Sequence, residues 1–291
     1  MTGFSSEWLS LRESADHRAR NVVLLKEVQQ YFARTQPGLG KTEHAPFLIT
    51  DLGCGTGSNL RALAQALPEF QHWSLVDYDP LLLDAARSAL STWADSVAQH
   101  DSENQANPQL RLVKNGKQIT VSFVQEDLSK NIEHVLAKHT DLLTAAAFFD
   151  LVSPDWIVRF CKSLNAPLYT VLTYDGTEKW IPPHPTDQLV LDAFHAHQST
   201  DKGFGLSAGP GAIQIMQAQL TARSFNVQLE KSPWILNHKD QALMQALATG
   251  SAGAVAETNK VPTLDLSAWL AARLQAQQCE IGHWDLFARL V

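Results

Sequence analysis

A chain of 291 residues with 23 Lys and Arg against 30 Asp and Glu carries a formal net charge of −7, and its basic residues form no block of the kind a polyanion selects, so no nucleic-acid partner is expected. No stretch approaches the roughly 20 apolar residues of a bilayer span, and the chain does not open on a charged region followed by an apolar one. Neither a membrane nor secretion is therefore expected, and a cytoplasmic location is. Cys54, Cys161 and Cys279 lie far apart, which disfavours a zinc site and a disulfide framework alike, and no metal is expected.

Helix formers dominate residues 6–25, and Val22, Leu25, Val28 and Phe32 stand at helical spacing, which predicts a helical lid packed on a sheet. Trp8 either packs over a site or anchors that lid. A polar linker punctuated by Gly and Pro follows over 35–44, so residues 1–44 read as lid and linker and 45–291 as one domain. The apolar run 46–50 then closes on Asp51-Leu52-Gly53-Cys54-Gly55-Thr56-Gly57, and a helical stretch opens over 58–67. A strand that turns into a helix through alternating glycines offers backbone N–H groups and the positive end of a helix dipole to a ligand close to the main chain. A second apolar run, 72–76, ends in Asp77, about twenty residues past the turn, where a carboxylate meets a ribose diol.

A helix is expected over 81–93 and a surface loop over 99–108. Residues 110–113 and 119–124 flank Asn115-Gly116, a strong hairpin signal. The continuous apolar runs 141–150 and 167–175 read as a fourth and a fifth strand covered on both faces. Prolines forbid regular helix over 180–185. A helix over 187–198, a glycine-rich loop over 200–211, a helix over 212–223 and a strand from 225 follow. Helices around 241–248 and 266–277 lead to a final strand over 280–291.

The glycine spacing is not the G-x-G-x-x-G of dinucleotide folds, and Asp51, two positions before the first glycine, would repel a pyrophosphate while suiting an ammonium or sulfonium. The pattern acid-x-Gly-x-Gly-x-Gly, followed by Val76-Asp77-Tyr78-Asp79-Pro80, resembles motif I and its acidic follow-on in class I S-adenosylmethionine (SAM)-dependent methyltransferases. The resemblance extends over about residues 47–175. It implies a doubly wound, Rossmann-like α/β fold of seven strands in the order 3-2-1-4-5-7-6 with strand 7 antiparallel, and an insertion after strand 5 at about 176–212. It also implies SAM as cofactor and S-adenosylhomocysteine (SAH) as its product. Gly53, Gly55, Gly57, Asp51, Asp77 and Tyr78 would form the cradle. Asp127, in Gln125-Glu126-Asp127-Leu128, would meet the adenine amino group, with the Leu128 N–H on the ring. Arg12 and Arg20 of the lid either pair with the cofactor carboxylate or are helix-surface charges.

The acceptor should lie at the carboxyl ends of strands four and five, near Phe149, Asp150, Tyr174 and Asp175. Asp150 either meets a ligand or caps a helix starting near Ser153, and Asp175 reads as a turn residue. His195 and His197, two apart on one helix, cannot face the same way, so either is a base or a surface residue. Residues 201–205 suit a loop closing over an acceptor. Structural roles are expected of His283, Trp284 and Asp285. The leading function is methyl transfer to an oxygen, nitrogen or sulfur of a small polar metabolite. The alternatives are a non-catalytic SAM-binding scaffold and an NAD(P)-dependent oxidoreductase.

Overall fold

A computed structural model describes residues 4–35, 42–98, 109–201 and 203–290. Along the chain, α1 (Ser6–Ala19) and α2 (Val22–Thr35) precede β1 (Phe47–Leu52), α3 (Ser58–Leu63), β2 (Phe70–Asp77), α4 (Pro80–Trp93), β3 (Ser96–Ala98) and β4 (Leu110–Lys114). Next come β5 (Lys117–Gln125), α5 (Leu128–Leu136), β6 (Leu142–Ala146), α6 (Pro154–Ser163), β7 (Leu168–Ile181) and α7 (Asp187–Gln198). The chain continues through α8 (Ala212–Ala222), β8 (Phe225–Lys231), β9 (Trp234–Leu236), α9 (Gln241–Thr258), α10 (Thr263–Arg273) and β10 (Gln278–Leu290).

β1 lies between β2 and β6 and runs parallel to both. Phe47, Ile49 and Leu52 are buried along it, and so are Thr50 and Asp51, because helices cover both faces and leave no solvent side for alternation. The sheet order is β3-β4-β5-β2-β1-β6-β7-β10-β8, with β9 added to β10. β10 is antiparallel to both β7 and β8. Strands β5, β2, β1, β6, β7, β10 and β8 thus reproduce the expected doubly wound order 3-2-1-4-5-7-6, and β3, β4 and β9 raise the count beyond the expected seven. β4 arises from the Asn115-Gly116 hairpin, whose two turn residues have φ of 47° and 80°, as the tight hairpin turn requires. The exposed β3 carries no periodic signal.

Several boundaries differ from the sequence reading. β6 stops at Ala146; Ala147 turns left-handed (φ 50°) and a 3-10 turn, Phe149–Leu151, takes the chain under the sheet edge. Asp150 therefore sits in a buried turn, not at a strand end. The cap of α6 is Ser153, whose Oγ accepts the Trp156 N–H, so the capping role considered for Asp150 is filled. β7 continues to Ile181 because β10 pairs with it as far as Gln278. The N-terminal segment is two helices, and Asn21 starts the second by accepting the N–H groups of Val23 and Leu24. Its buried stripe is Leu24, Val28 and Phe32, four apart; Val22, expected inside, is 66% exposed in the first turn. α9 runs well past residue 248, and α10 begins before residue 266. The expected loop over 99–108, most of the linker after Thr35 and Lys202 lie outside the described residues. Among the described residues, no helix is long and apolar enough to cross a membrane.

Candidate active site

A cleft of about 400 Å³ opens where β1, β2, β5 and β6 end, with α1 forming its far wall. Ligands of open α/β sheets bind at this edge. Gly53 and Gly55 have φ of 60° and 52°, and a Cβ would stand 2.6 Å from the Phe148 ring at the first and 2.9 Å from Leu9 at the second. The turn is thus glycine both for its backbone and because Phe148 and α1 press against it. At its centre, Asp77 accepts the Gly55 N–H at 2.8 Å and the Asp79 N–H at 3.1 Å. Burial raises its pKa, and these two bonds offset part of that. Tyr78 lines the same rim. Asp127 and Leu128 line the opposite rim; Asp127 caps α5 through the Ser129 N–H and pairs with Lys130 at 2.8 Å, which holds its pKa down.

Three polar side chains run from the cleft into the sheet. Arg20 Nη2 donates to Asn59 Oδ1 at 2.8 Å, and Asn59 Nδ2 donates to Asp51 Oδ1 at 2.6 Å. Arg20 is 7% exposed, and its Nε and Nη1 make no hydrogen bond of normal geometry, with the buried Tyr169 hydroxyl beside the guanidinium; Asp51 is wholly buried and its Oδ2 has no partner. Burial pushes the Asp51 pKa up to about 7, with Asn59 and Arg20 acting against the shift. Arg12 of α1 and Arg20, which caps its end, differ in kind. Arg12 also lines the cleft, but its Nε and Nη2 are both bonded to Asp16, at 2.9 and 3.1 Å, and it lies over the Trp234 ring.

Sequence reasoning missed most of what seats α1. Glu13 forms a two-pronged pair with Arg61 of α3, at 2.7 and 2.6 Å; His17 bonds Ser58; and the Trp234 indole donates to Asp16. A signal was present, since Arg12, Asp16 and Arg20 are four apart and so share one helix face. Asn59 was also missed. Phe148, Phe204 and Trp156 meet edge to face, with ring centroids 5.6–5.9 Å apart, and Phe148 and Phe204 line the cleft. Phe204 belongs to the glycine-rich loop, whose backbone Asp201 ties by accepting the N–H groups of Gly203 and Gly205.

On the acceptor side, Asp150, Tyr174 and His195 stand next to the cleft without lining it. Asp150 is 7% exposed, its Oδ1 lacks a partner, and burial pushes its pKa up to about 6. The Tyr174 hydroxyl meets His195 Nε2 at 3.0 Å; burial raises the phenol's pKa and lowers the imidazole's, so both are neutral at pH 7 and the imidazole tautomer sets which of them donates. His197 is a correction to the list of candidate bases. Two residues along a helix turns the side chain through about 200°, and it meets Glu257 of α9 at 3.0 Å on the outer surface. Asp175 holds a turn, accepting from Thr177 and pairing with Lys231 at 2.7 Å. Asp285 accepts the N–H groups of Asn21 and Leu172, and His283 is buried with its pKa lowered to about 3 by desolvation.

No protein-family model matches the chain, and no curated protein does. Among solved structures it is similar to a SAM-dependent methyltransferase from Thiobacillus denitrificans in complex with SAH, at 14% identity over 99% of this chain and 100% of that one, with a TM-score of 0.42. It is similar to YjhP from E. coli at 13% identity, over 98% of each chain, with a TM-score of 0.43. The plantazolicin methyltransferase BamL, solved with a desmethyl analogue and SAH, is 12% identical over 96% of this chain and 92% of that one, with a TM-score of 0.40.

Proposed function

We propose that this chain is a SAM-dependent methyltransferase acting on a small-molecule acceptor. The observation that carries the reading is the pair of unsatisfied buried groups joined by Asn59: guanidinium nitrogens on Arg20 without a hydrogen bond of normal geometry and a free oxygen on Asp51. Buried polar atoms without partners are costly. The α-carboxylate and α-ammonium of a methionine head group match them in charge, whereas a pyrophosphate would face the Asp51 carboxylate. Asp77 would take the ribose hydroxyls, and Asp127 with the Leu128 N–H would take adenine.

When bound, SAM supplies a methyl group on a sulfonium that a nucleophile displaces in line, so the chain's own work is orientation and exclusion of water. Phe148 and Phe204 cover the cleft. Asp150 and the Tyr174–His195 pair, next to the cleft, would hold or move a proton beside the acceptor. The acceptor reads as a polar metabolite methylated on oxygen, nitrogen or sulfur in the cytoplasm.

Calorimetric titration with SAM and SAH, with NADH as control, tests the reading. Micromolar binding of the first two and none of the third is expected. Silence toward both adenosyl compounds would reassign the cleft, and NADH binding would restore the oxidoreductase. SAM binding without turnover on any acceptor would leave a scaffold.

A further inference from the structure

Beside the cleft, parts of the chain far apart in sequence converge: the turn Phe149–Leu151, the end of β7 at Tyr174 and Gly176, the turn Gly209–Gly211, and α7 at His195. The packing is close. A Cβ on Gly176 would stand 2.9 Å from Pro210 and 3.6 Å from His195 Cε1.

The charges in this compartment do not balance. Asp150 is more than nine-tenths buried and its Oδ1 is unpartnered. Arg12 is the cation whose charge reaches it, yet that guanidinium is already committed to Asp16 through two hydrogen bonds. Glu178, on the same face of β7 as Tyr174, is held by the Trp180 indole, and its nearest matched charges, Asp187 and Arg273, offset one another. Asp175 is neutralised by Lys231. After burial, the carboxylates of Glu178, Asp175 and Asp150 raise the Tyr174 pKa further.

The hydrogen-bonding inventory points the same way. In either tautomer of neutral His195 the Tyr174 oxygen keeps a lone pair that can accept a further hydrogen bond. Asp150 Oδ1 is an acceptor too, so the compartment calls for a ligand that brings donors and positive charge. A carboxylate or phosphate brings neither, and the Asp150 carboxylate, stabilised in part by the backbone N–H groups of Asp150 and Tyr174, still has one oxygen without a partner.

We propose that the methyl acceptor carries an ammonium group, which Asp150 binds beside the Tyr174 hydroxyl. The inference rests on the methyltransferase reading, because it takes this compartment to be the acceptor's. Phe148 and Phe204 suit an aromatic ring attached to that amine.

The test titrates the SAH-saturated protein with three molecules of matched shape: phenethylamine, phenethyl alcohol and 3-phenylpropionate. The amine should bind at least tenfold more tightly than the other two, and Asp150→Asn should abolish that preference while SAH affinity is retained. Three results overturn the proposal: equal or tighter binding of the alcohol or the acid, no amine binding to the SAH complex, or a preference that survives in Asp150→Asn. The wild-type comparison decides alone if the variant does not fold. Failure of SAH itself to bind overturns the cofactor reading and this inference with it, whereas SAH binding without amine preference overturns the inference only.

Discussion

The Asp77 carboxylate accepts the Gly55 N–H at 2.8 Å, so the end of the second strand holds the turn that closes the first. One side chain thus serves both the shape of the cradle and the ligand it would hold. Asp77→Ala should weaken SAM binding by about 1.5–3 kcal/mol through lost charge-assisted hydrogen bonds. Calorimetry reads this directly, and an unchanged affinity would remove Asp77 from the cofactor site.

Asp51 couples stability to pH. Its folded pKa is raised to about 7 from 3.8, so between those values the folded state holds a proton that the unfolded chain has lost. Its contribution is complete below about pH 4 and is lost as pH rises through 7. His283, with a lowered folded pKa, acts in the opposite sense in acid. The difference between wild type and Asp51→Asn isolates the carboxyl: the variant should gain about 2–4 kcal/mol relative to wild type between pH 4 and pH 8. Chemical denaturation at the two pH values checks this, and a pH-independent difference would show that Asp51 titrates normally.

The Glu13–Arg61 pair fastens α1 to the helix that follows the glycine turn. Arg61→Ala should cost about 1–3 kcal/mol, chiefly by leaving Glu13 part-buried and unpaired. It should weaken cofactor binding without removing a cofactor contact. Hydrogen exchange would report the cause as lost protection confined to α1 and α3; uniform loss across the sheet would mean global destabilisation instead.

The two histidines of α7 should separate in kinetics. His195→Phe removes the partner of the Tyr174 hydroxyl and should lower turnover about 10²-fold if the pair moves a proton, with SAM affinity intact. His197→Ala, on the outer surface, should leave turnover within about twofold. Equal effects would disprove the assignment of roles drawn from the hydrogen bonds.

The parallel strands were legible because each is a short apolar run with no solvent side, and the cradle was legible because its glycines and acids are close in sequence. Distant partners were harder. Nothing near Asp51 announces that Asn59 will turn back to it, and nothing in Arg12 distinguishes it from Arg20 until Trp234 and Asp16 are brought together. Asp150 was misplaced because Ala147 breaks the strand in a left-handed conformation usually marked by glycine. β3 escaped notice since three exposed residues at a sheet edge obey no pattern.

The seating of α1 has a consequence for biosynthesis. The helix that walls the cleft is held by residues from both ends of the numbering: Ser58, Asn59 and Arg61 on one side, Trp234 and Asp240 on the other, with Asn21 hydrogen-bonded to Asp285 just beyond its end. A nascent or truncated chain that has not yet laid down β9 and β10 therefore lacks the wall as well as the strands. Ligand affinity becomes a certificate of completeness, because mass action stabilises only chains whose first helix has met β9 and whose Asn21 has met β10.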